Sequence, residues 1–390
     1  MSEWKKCPIG EVVTLRQGFA INAKSKHYMS KEETSLPLLR IADMKNGTKE
    51  VFVKEEIPQR FIAHPEDIIY TRTGNVGLVF RNNYGVMHNN CFSVTPNDAD
   101  ELSRDFLYYA LQNKTFFDTA NALARGAAQP DLPHTSFNSI EFAYPSLFVQ
   151  ERIAYILSRY DSLIENYQKQ IKLLEEAAQR LYKEWFIDLH FPEHENTKIV
   201  DGVPEGWEKK SIGEIGEYLN GFAFKPSDWQ DLGKPIIKIK EMGNGVTNET
   251  PRNSGERVPA KYLIKTGDLL FSWSATLMVI IWSGEEGWLN QHLFKVTPVK
   301  GIDREFLLQS ISNTIVEFQN LTTGSTMKHI QRNKLDQVFV NVPNAEIMKR
   351  YSDISEKTRS NILSLQSQLR LLTEARNRLL PKLMSGAIIH

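Results

Sequence analysis

The chain has 390 residues, 41% hydrophobic and 24% charged, and its 47 Lys+Arg balance 47 Asp+Glu for a formal net charge of zero. That length suffices for two or three domains with their own cores. No run approaches the roughly 18 apolar residues of a membrane span, and there is no overall basic footprint of a nonspecific nucleic-acid binder.

The first region opens WKKCPIGEVVTLRQGFAI, from Trp4 to Ile21. Next, LPLLRIADMKNG (Leu36 to Gly47) reads as a short buried strand ending in an Asn-Gly turn. In EDIIYTRTGNVG (Glu66 to Gly77) an acid precedes an apolar triplet and a polar loop, and GVMHNNCFSVTP (Gly85 to Pro96) follows. An amphipathic helix is predicted around Phe106 to Asn113, and a segment from Gly126 to Pro145 closes the region. From Glu151 to Phe186, Ile153, Leu157, Tyr160, Ile164, Tyr167, Ile171, Leu174, Ala178, Leu181 and Trp185 recur at alternating steps of four and three, with no proline or glycine between them. This is the a/d heptad of a helix that packs along a partner. It is a rod on the order of 50 Å long, too long for one compact core.

After the turn-rich DGVPEG linker the same order of elements returns. WEKKSIGEIGEYLNGFAF (Trp207 to Phe224) repeats the opening, KPIIKIKEMGNG (Lys234 to Gly245) the strand, GDLLFSWSATLM (Gly267 to Met278) the triplet and loop, and GWLNQHLFKVTP (Gly287 to Pro298) the HNN segment. REFLLQSI (Arg304 to Ile311) repeats the amphipathic helix, and Gly324 to Pro343 the closing segment. Matched blocks in one order define a duplication whose period is a domain rather than a solenoid repeat.

The partner helix stands at the far end. QLRLLTEARNRLLP (Gln368 to Pro381) aligns without a gap on QIKLLEEAAQRLYK (Gln170 to Lys183), and its seam runs Ile362, Leu365, Leu369, Leu372, Leu379 and Leu383, with Arg376 where Ala178 sits. The predicted fold is α+β with mainly antiparallel strands: two similar globular regions (1–148 and 207–344), a central helix (149–187), a linker (188–206) and a C-terminal helix (345–390). The two helices form an antiparallel intramolecular coiled coil about a pseudo-twofold, and LMSGAIIH returns to Trp4.

No catalytic constellation is legible. There is no P-loop, GxSxG, HExxH or amino-methyltransferase Asn/Asp-Pro-Pro-Tyr/Phe motif. His88 with Cys91 invites a metal reading, but the repeat has Asn290 and Leu293 there, so an ordinary polar loop is expected and no metal. Asp67 and Asp268 are shared acids, expected in strand-end hydrogen bonds. The two cysteines, Cys7 and Cys91, and an opening MSEWKKCPIG without signal-peptide character set a reducing cytoplasm as the expected compartment.

The plan of Trp…Ile-Gly-Glu…Gly units closing at Tyr-Pro-Ser or Val-Pro-Asn, each followed by an LL-E-A-x-x-R-L helix, resembles the specificity (S) subunit of Type I restriction-modification enzymes over essentially the whole chain. The resemblance implies two target recognition domains, each reading one half of a bipartite, asymmetric double-stranded DNA target. It implies helices that fix the spacer and dock two methylation (M) subunits, with restriction (R) subunits able to join. It gives this chain no cofactor and no catalysis of its own: S-adenosylmethionine, and ATP with Mg where restriction subunits are present, belong to the partners. No membrane is involved.

Domains that read different sequences should differ in matched loops, in side chains able to reach base edges or phosphates. After the apolar triplet these are Arg72 and Asn75 with Thr71 and Thr73, matched by Trp273 and Thr276 with Ser272 and Ser274. The HNN loop gives His88, Asn89 and Asn90, matched by Asn290, Gln291 and His292; a third loop gives Arg125 and Gln129, matched by Thr323, Ser325, Thr326 and Lys328. The alternative for each is a solvated loop residue or a local turn hydrogen bond. The alternatives for the whole chain are a coiled-coil adaptor that binds protein, favoured by the neutral charge, and a nuclease or methyltransferase in its own right.

Overall fold

The strands Val13–Gln17, Cys91–Pro96, Ile68–Thr71 and Val79–Phe80 lie side by side in that order, all antiparallel. Gly216–Asn220, Leu293–Pro298, Leu269–Ser272 and Met278–Ile281 repeat the sheet. Even the register is kept. Phe92 sits between Gln17 and Tyr70, and Phe294 between Asn220 and Phe271. A one-residue slip would turn every buried side chain to the other face, so matched register is strong evidence of a shared plan.

The computed structural model describes residues 4–320 and 332–388. It comprises two compact units, Met1–Ile164 with Leu372–His390, and Glu165–Leu371. Beside each four-stranded sheet lies a second one, of five short strands in the first unit and four in the second, that includes a parallel pair: Leu36–Leu39 with Gly85–Met87, and Lys234–Ile237 with Gly287–Leu289. Here the Asn-Gly reading is corrected. The strand passes into a short helix, Ile41–Asn46 or Ile239–Asn244, and the glycine is its end, at φ 67° for Gly47 and 75° for Gly245. A hairpin turn and a helix C-cap both call for a residue with positive φ, so the dipeptide alone does not separate them. The strand does pair antiparallel with the next one, Leu36 with Val53 and Lys234 with Asn253, but the short helix and the chain after it make the connection rather than a two-residue turn, and its other neighbour is a parallel strand far along the chain.

The amphipathic helix differs between units. Arg104–Leu111 ends before Asn113 and a second helix, Lys114–Leu123, begins, whereas Arg304–Asn320 is continuous. Phe106 and Leu107, like Phe306 and Leu307, are wholly buried in their cores.

The central helix runs Leu147–Tyr182 and ends in a π-helical turn, Lys183–Ile187; the C-terminal helix runs Ala345–Met384. Asn344 caps the latter, its Oδ1 accepting from the Ile347 N–H at 3.0 Å. In the first unit Ile153 and Leu157 share a core with Leu380 and Leu383 while Asp161 meets Arg376. In the second, Tyr182 and Phe186 share a core with Tyr351 while Glu175 faces Arg359. Within each unit the helices are therefore antiparallel. The seam residues Ile164, Tyr167, Ile171, Leu174, Leu181, Ile362, Leu365, Leu369, Leu372 and Leu379 are all buried or half-buried. The exposed leucines Leu163, Leu173 and Leu371 fall outside the heptad. At the end of the C-terminal helix Gly386 lies against Trp4, where a Cβ would sit 3.1 Å from the indole nitrogen. No described helix is long and apolar enough to cross a membrane.

Arg376, the departure from the seam, has a reason. It is about 15% exposed, binds Asp161 at 3.2 Å and donates to Gln112 Oε1 at 2.6 Å. In the other repeat the equivalent of Asp161 is Arg359, whose partner is Glu305 on the amphipathic helix, at 2.8 and 2.9 Å.

Candidate nucleic-acid interface

In the first unit the three loops that follow strands of the sheet or close the core come together at one edge. The Arg72 N–H donates to Asn90 O at 2.8 Å, joining the first loop to the HNN loop. The Leu132 N–H donates to Arg72 O at 2.9 Å, and Arg125 and Asp131 exchange backbone hydrogen bonds at 2.8 Å, which brings in the third loop. Side chains tighten the junction. Arg72 Nη2 donates to Asp131 Oδ2 at 2.6 Å and Nη1 to Gln17 Oε1 at 3.2 Å, while Thr73 Oγ1 donates to Asp131 Oδ1 at 2.6 Å. Partial burial works to raise the Asp131 carboxyl, yet the bonds from Thr73 and Arg72 hold it below the usual aspartate range. Gln17 Nε2 donates to Asn89 O at 2.7 Å.

His88 is kept neutral: burial, then the nearby Arg40 charge, push its imidazole down. Its Nδ1 accepts from the Asn90 N–H at 3.3 Å, so the proton resides on Nε2 as a donor. Asn89 and Asn90 are half-buried, whereas Asn75, Arg125 and Gln129 are exposed.

The second unit builds the same frame with other side chains. Trp273 Nε1 donates to Asn220 Oδ1 at 3.2 Å, its ring lies 5.9 Å from His292, and Ser274 Oγ is 3.3 Å from His292 Nδ1. Asn290, buried, donates to Gln291 Oε1 at 2.8 Å; Thr276 is exposed. Two features are common to both units. A hydroxyl closes the first loop, Thr71 Oγ1 donating to Asn75 O and Ser272 Oγ to Thr276 O. The glycine of Gly-Phe-Ala approaches the second loop so closely that a Cβ on Gly18 or Gly221 would lie 2.2 Å from the carbonyl oxygen of His88 or Asn290.

The structure thus brings together Arg72, Asn75, His88, Asn89, Asn90, Arg125 and Gln129 in one unit, and Trp273, Thr276, Asn290, Gln291 and His292 in the other. Thr323, Ser325, Thr326 and Lys328 lie outside the described residues. Gln17, Asn220 and Asp131 are members that the sequence reading did not single out. Gln17 and Asn220 satisfy the criterion of matched place and different identity, but they lie more than fifty residues from the loops they serve.

Asp67 and Asp268 close strand ends. Asp67 Oδ2 accepts from the His64 N–H at 2.9 Å and pairs with Arg16 at 2.6 Å; Asp268 Oδ2 accepts from the Lys265 N–H and pairs with Lys295, both at 2.8 Å. Cys91 is fully buried, and burial pushes its thiol up to about 12, which makes it a core residue beside the loop.

A duplicated α+β unit with a constant frame and variable polar loops, joined by heptad helices, is the organisation of a sequence-reading protein. The chain belongs to the Type I restriction modification DNA specificity domain family, which it matches over residues 1–176 and 204–370. It is similar to the Type I restriction enzyme HindI specificity subunit of Haemophilus influenzae, at 24% identity with 100% of both chains covered. It is likewise similar to the MjaVIII specificity subunit of Methanocaldococcus jannaschii, at 24% identity over 99% of this chain and 93% of that one. Its fold is that of the S subunit of a Type-I restriction-modification system from M. genitalium, with TM-score 0.61 and 17% identity over 98% of this chain and 96% of that one. Its role is DNA sequence recognition within a restriction-modification system.

Proposed function

We propose that each unit reads one half of a bipartite, asymmetric duplex target, and that the two helices fix the gap between the halves and dock two methylation subunits. The observation that carries this reading is the pair of loop junctions. Both have the same hydroxyl clamp and glycine approach, and each displays a different set of groups suited to base edges. Helices of 36 and 40 residues, about 54 and 60 Å at 1.5 Å per residue, suit a rigid spacer spanning more than one turn of B-DNA.

Catalysis then belongs to the partners. The methylation subunits carry S-adenosylmethionine and act on an adenine taken out of the stack. Restriction subunits, where present, use ATP and Mg, and the assembly works in the cytoplasm. The partners also supply phosphate-neutralising charge that this neutral chain does not have.

Co-expression with a DNA adenine methylation subunit, followed by single-molecule sequencing for methyladenine, tests the reading. One bipartite motif with a fixed gap is the expected result. Absence of both a methylated motif and a complex with the methylation subunit would favour a protein-binding adaptor instead.

A further inference from the structure

The repeat provides an internal control for each loop residue: a side chain the fold requires should recur in the second unit, and one that reads sequence should not. The first loop keeps its clamp, Thr71 or Ser272, and its left-handed residue, Gly74 at φ 81° or Ala275 at φ 56°. The residue directly after the clamp does not recur. Arg72 stands in one unit and Trp273 in the other, and its neighbour across the sheet changes with it, from Gln17 to Asn220. The frame therefore accommodates an arginine or an indole at this place and does not depend on a guanidinium.

Resting on the reading of the units as DNA-recognition domains, we propose that Arg72 recognises a guanine in the half-site of the first unit, with Gln17 and Asp131 as the residues that position it. A guanidinium has five N–H donors. Asp131 takes one on Nη2 and Gln17 one on Nη1, leaving one hydrogen on each terminal nitrogen. That is the pair a bidentate contact with guanine O6 and N7 requires. The guanidinium is also held before DNA arrives. Its backbone N–H and carbonyl are tied to Asn90 and Leu132, and Thr73 fixes the other oxygen of Asp131. A donor pair already ordered loses less freedom on binding. The side chain keeps about a fifth of its surface open, so it is neither a core cation nor a freely solvated one. Trp273 cannot do the same. The only N–H of its indole is committed to Asn220, so the second unit lacks at this place the donor pair that the first presents.

The test uses the wild-type chain in complex with its methylation subunits and duplexes carrying 7-deazaguanine at each guanine of the target in turn, which removes N7 and leaves pairing intact. One guanine in the half read by the first unit should prove sensitive, with binding weakened roughly 5- to 150-fold, the range of a good bidentate pair. In Arg72→Ala the 7-deaza substitution at that guanine should have no further effect, and the methylated motif should become degenerate at that position alone. Asp131→Asn should retain the guanine preference in reduced form. Tolerance of 7-deazaguanine throughout that half by the wild-type complex would overturn the assignment whether or not the variants fold, and would leave DNA recognition standing. If the wild-type complex yields no motif at all, the recognition reading fails and the assignment fails with it.

Discussion

Asp161 in the first unit and Arg359 in the second occupy equivalent places on their helices and solve one packing problem with opposite charges. Asp161 is met by Arg376 from the other helix and by the Tyr109 hydroxyl at 2.8 Å; Arg359 is met by Glu305 from the amphipathic helix, whose carboxylate is 3% exposed. In the first unit the equivalent of Glu305 is Asp105, which is 73% exposed. The sheets show the same behaviour. Asp67 is neutralised by Arg16 on one strand, beside Ser93 in register; at the second site the cation is Lys295, in the place matched to Ser93, and Leu219 stands in the place of Arg16. At these two places, Asp161 with Arg359 and Asp67 with Asp268, duplication has preserved a charge and the requirement that it be paired. The sign of the charge and the strand that supplies the partner have drifted.

Breaking the pairs one at a time should expose this difference. Glu305→Ala leaves Arg359 buried without its hydrogen-bonded carboxylate, with only Glu175 facing it, and should cost about 3–5 kcal/mol, read as a fall in the urea midpoint of the tryptophan fluorescence from Trp185 and Trp207, which lie in that core. Asp161→Ala should cost less, roughly 1.5–3 kcal/mol, because Arg376 retains Gln112. Equal losses would contradict the unequal anchoring.

Gly18→Ala and Gly221→Ala probe what the units share. Each Cβ collides with a backbone carbonyl at 2.2 Å, so the loop must move. The expected penalty is about 1–3 kcal/mol, with loss of discrimination confined to the half read by the altered unit, as methylome sequencing would report. Acid should act on the first unit's junction through Asp131. Its folded pKa lies below the ordinary 3.8, so its contribution is fully present above that value and disappears as the pH falls through it toward the depressed one. Thermal melting between pH 6 and 3 should therefore decline less steeply in Asp131→Asn than in the wild type. The smallest effect concerns Ala275, an L-residue at φ 56° where the first unit has a glycine. Ala275→Gly should be neutral to stabilising by up to about 1 kcal/mol, whereas a loss of more than that would mean the loop is not the same turn in both units.

Repetition made much of this readable in advance. Matched blocks such as Ile-Gly-Glu and Gly-Phe-Ala, and the heptads from Ile153 and Ile362, state the duplication and the helix pair in side chains adjacent in sequence or at fixed steps. The loops bearing Arg72, His88 and Arg125 could be grouped because they flank strands of one sheet or close its core. Contacts across long separations were not legible. The bond from Arg72 to Gln17, the grip of Asp131 and the partner that makes Arg376 tolerable in an apolar seam all depend on which strands and helices become neighbours. The Asn-Gly segments were misread for a local reason, since a helix end and a hairpin ask the same of glycine.

The central claim is that each unit reads its own half independently on a common frame. Exchanging Trp4 to Pro145 for the corresponding segment of another family member, co-expressing the chimera with the methylation subunit and sequencing methyladenine genome-wide tests it most directly. One half of the motif should change while the other half and the gap stay as they were. A motif altered in both halves, or in neither, would contradict the account.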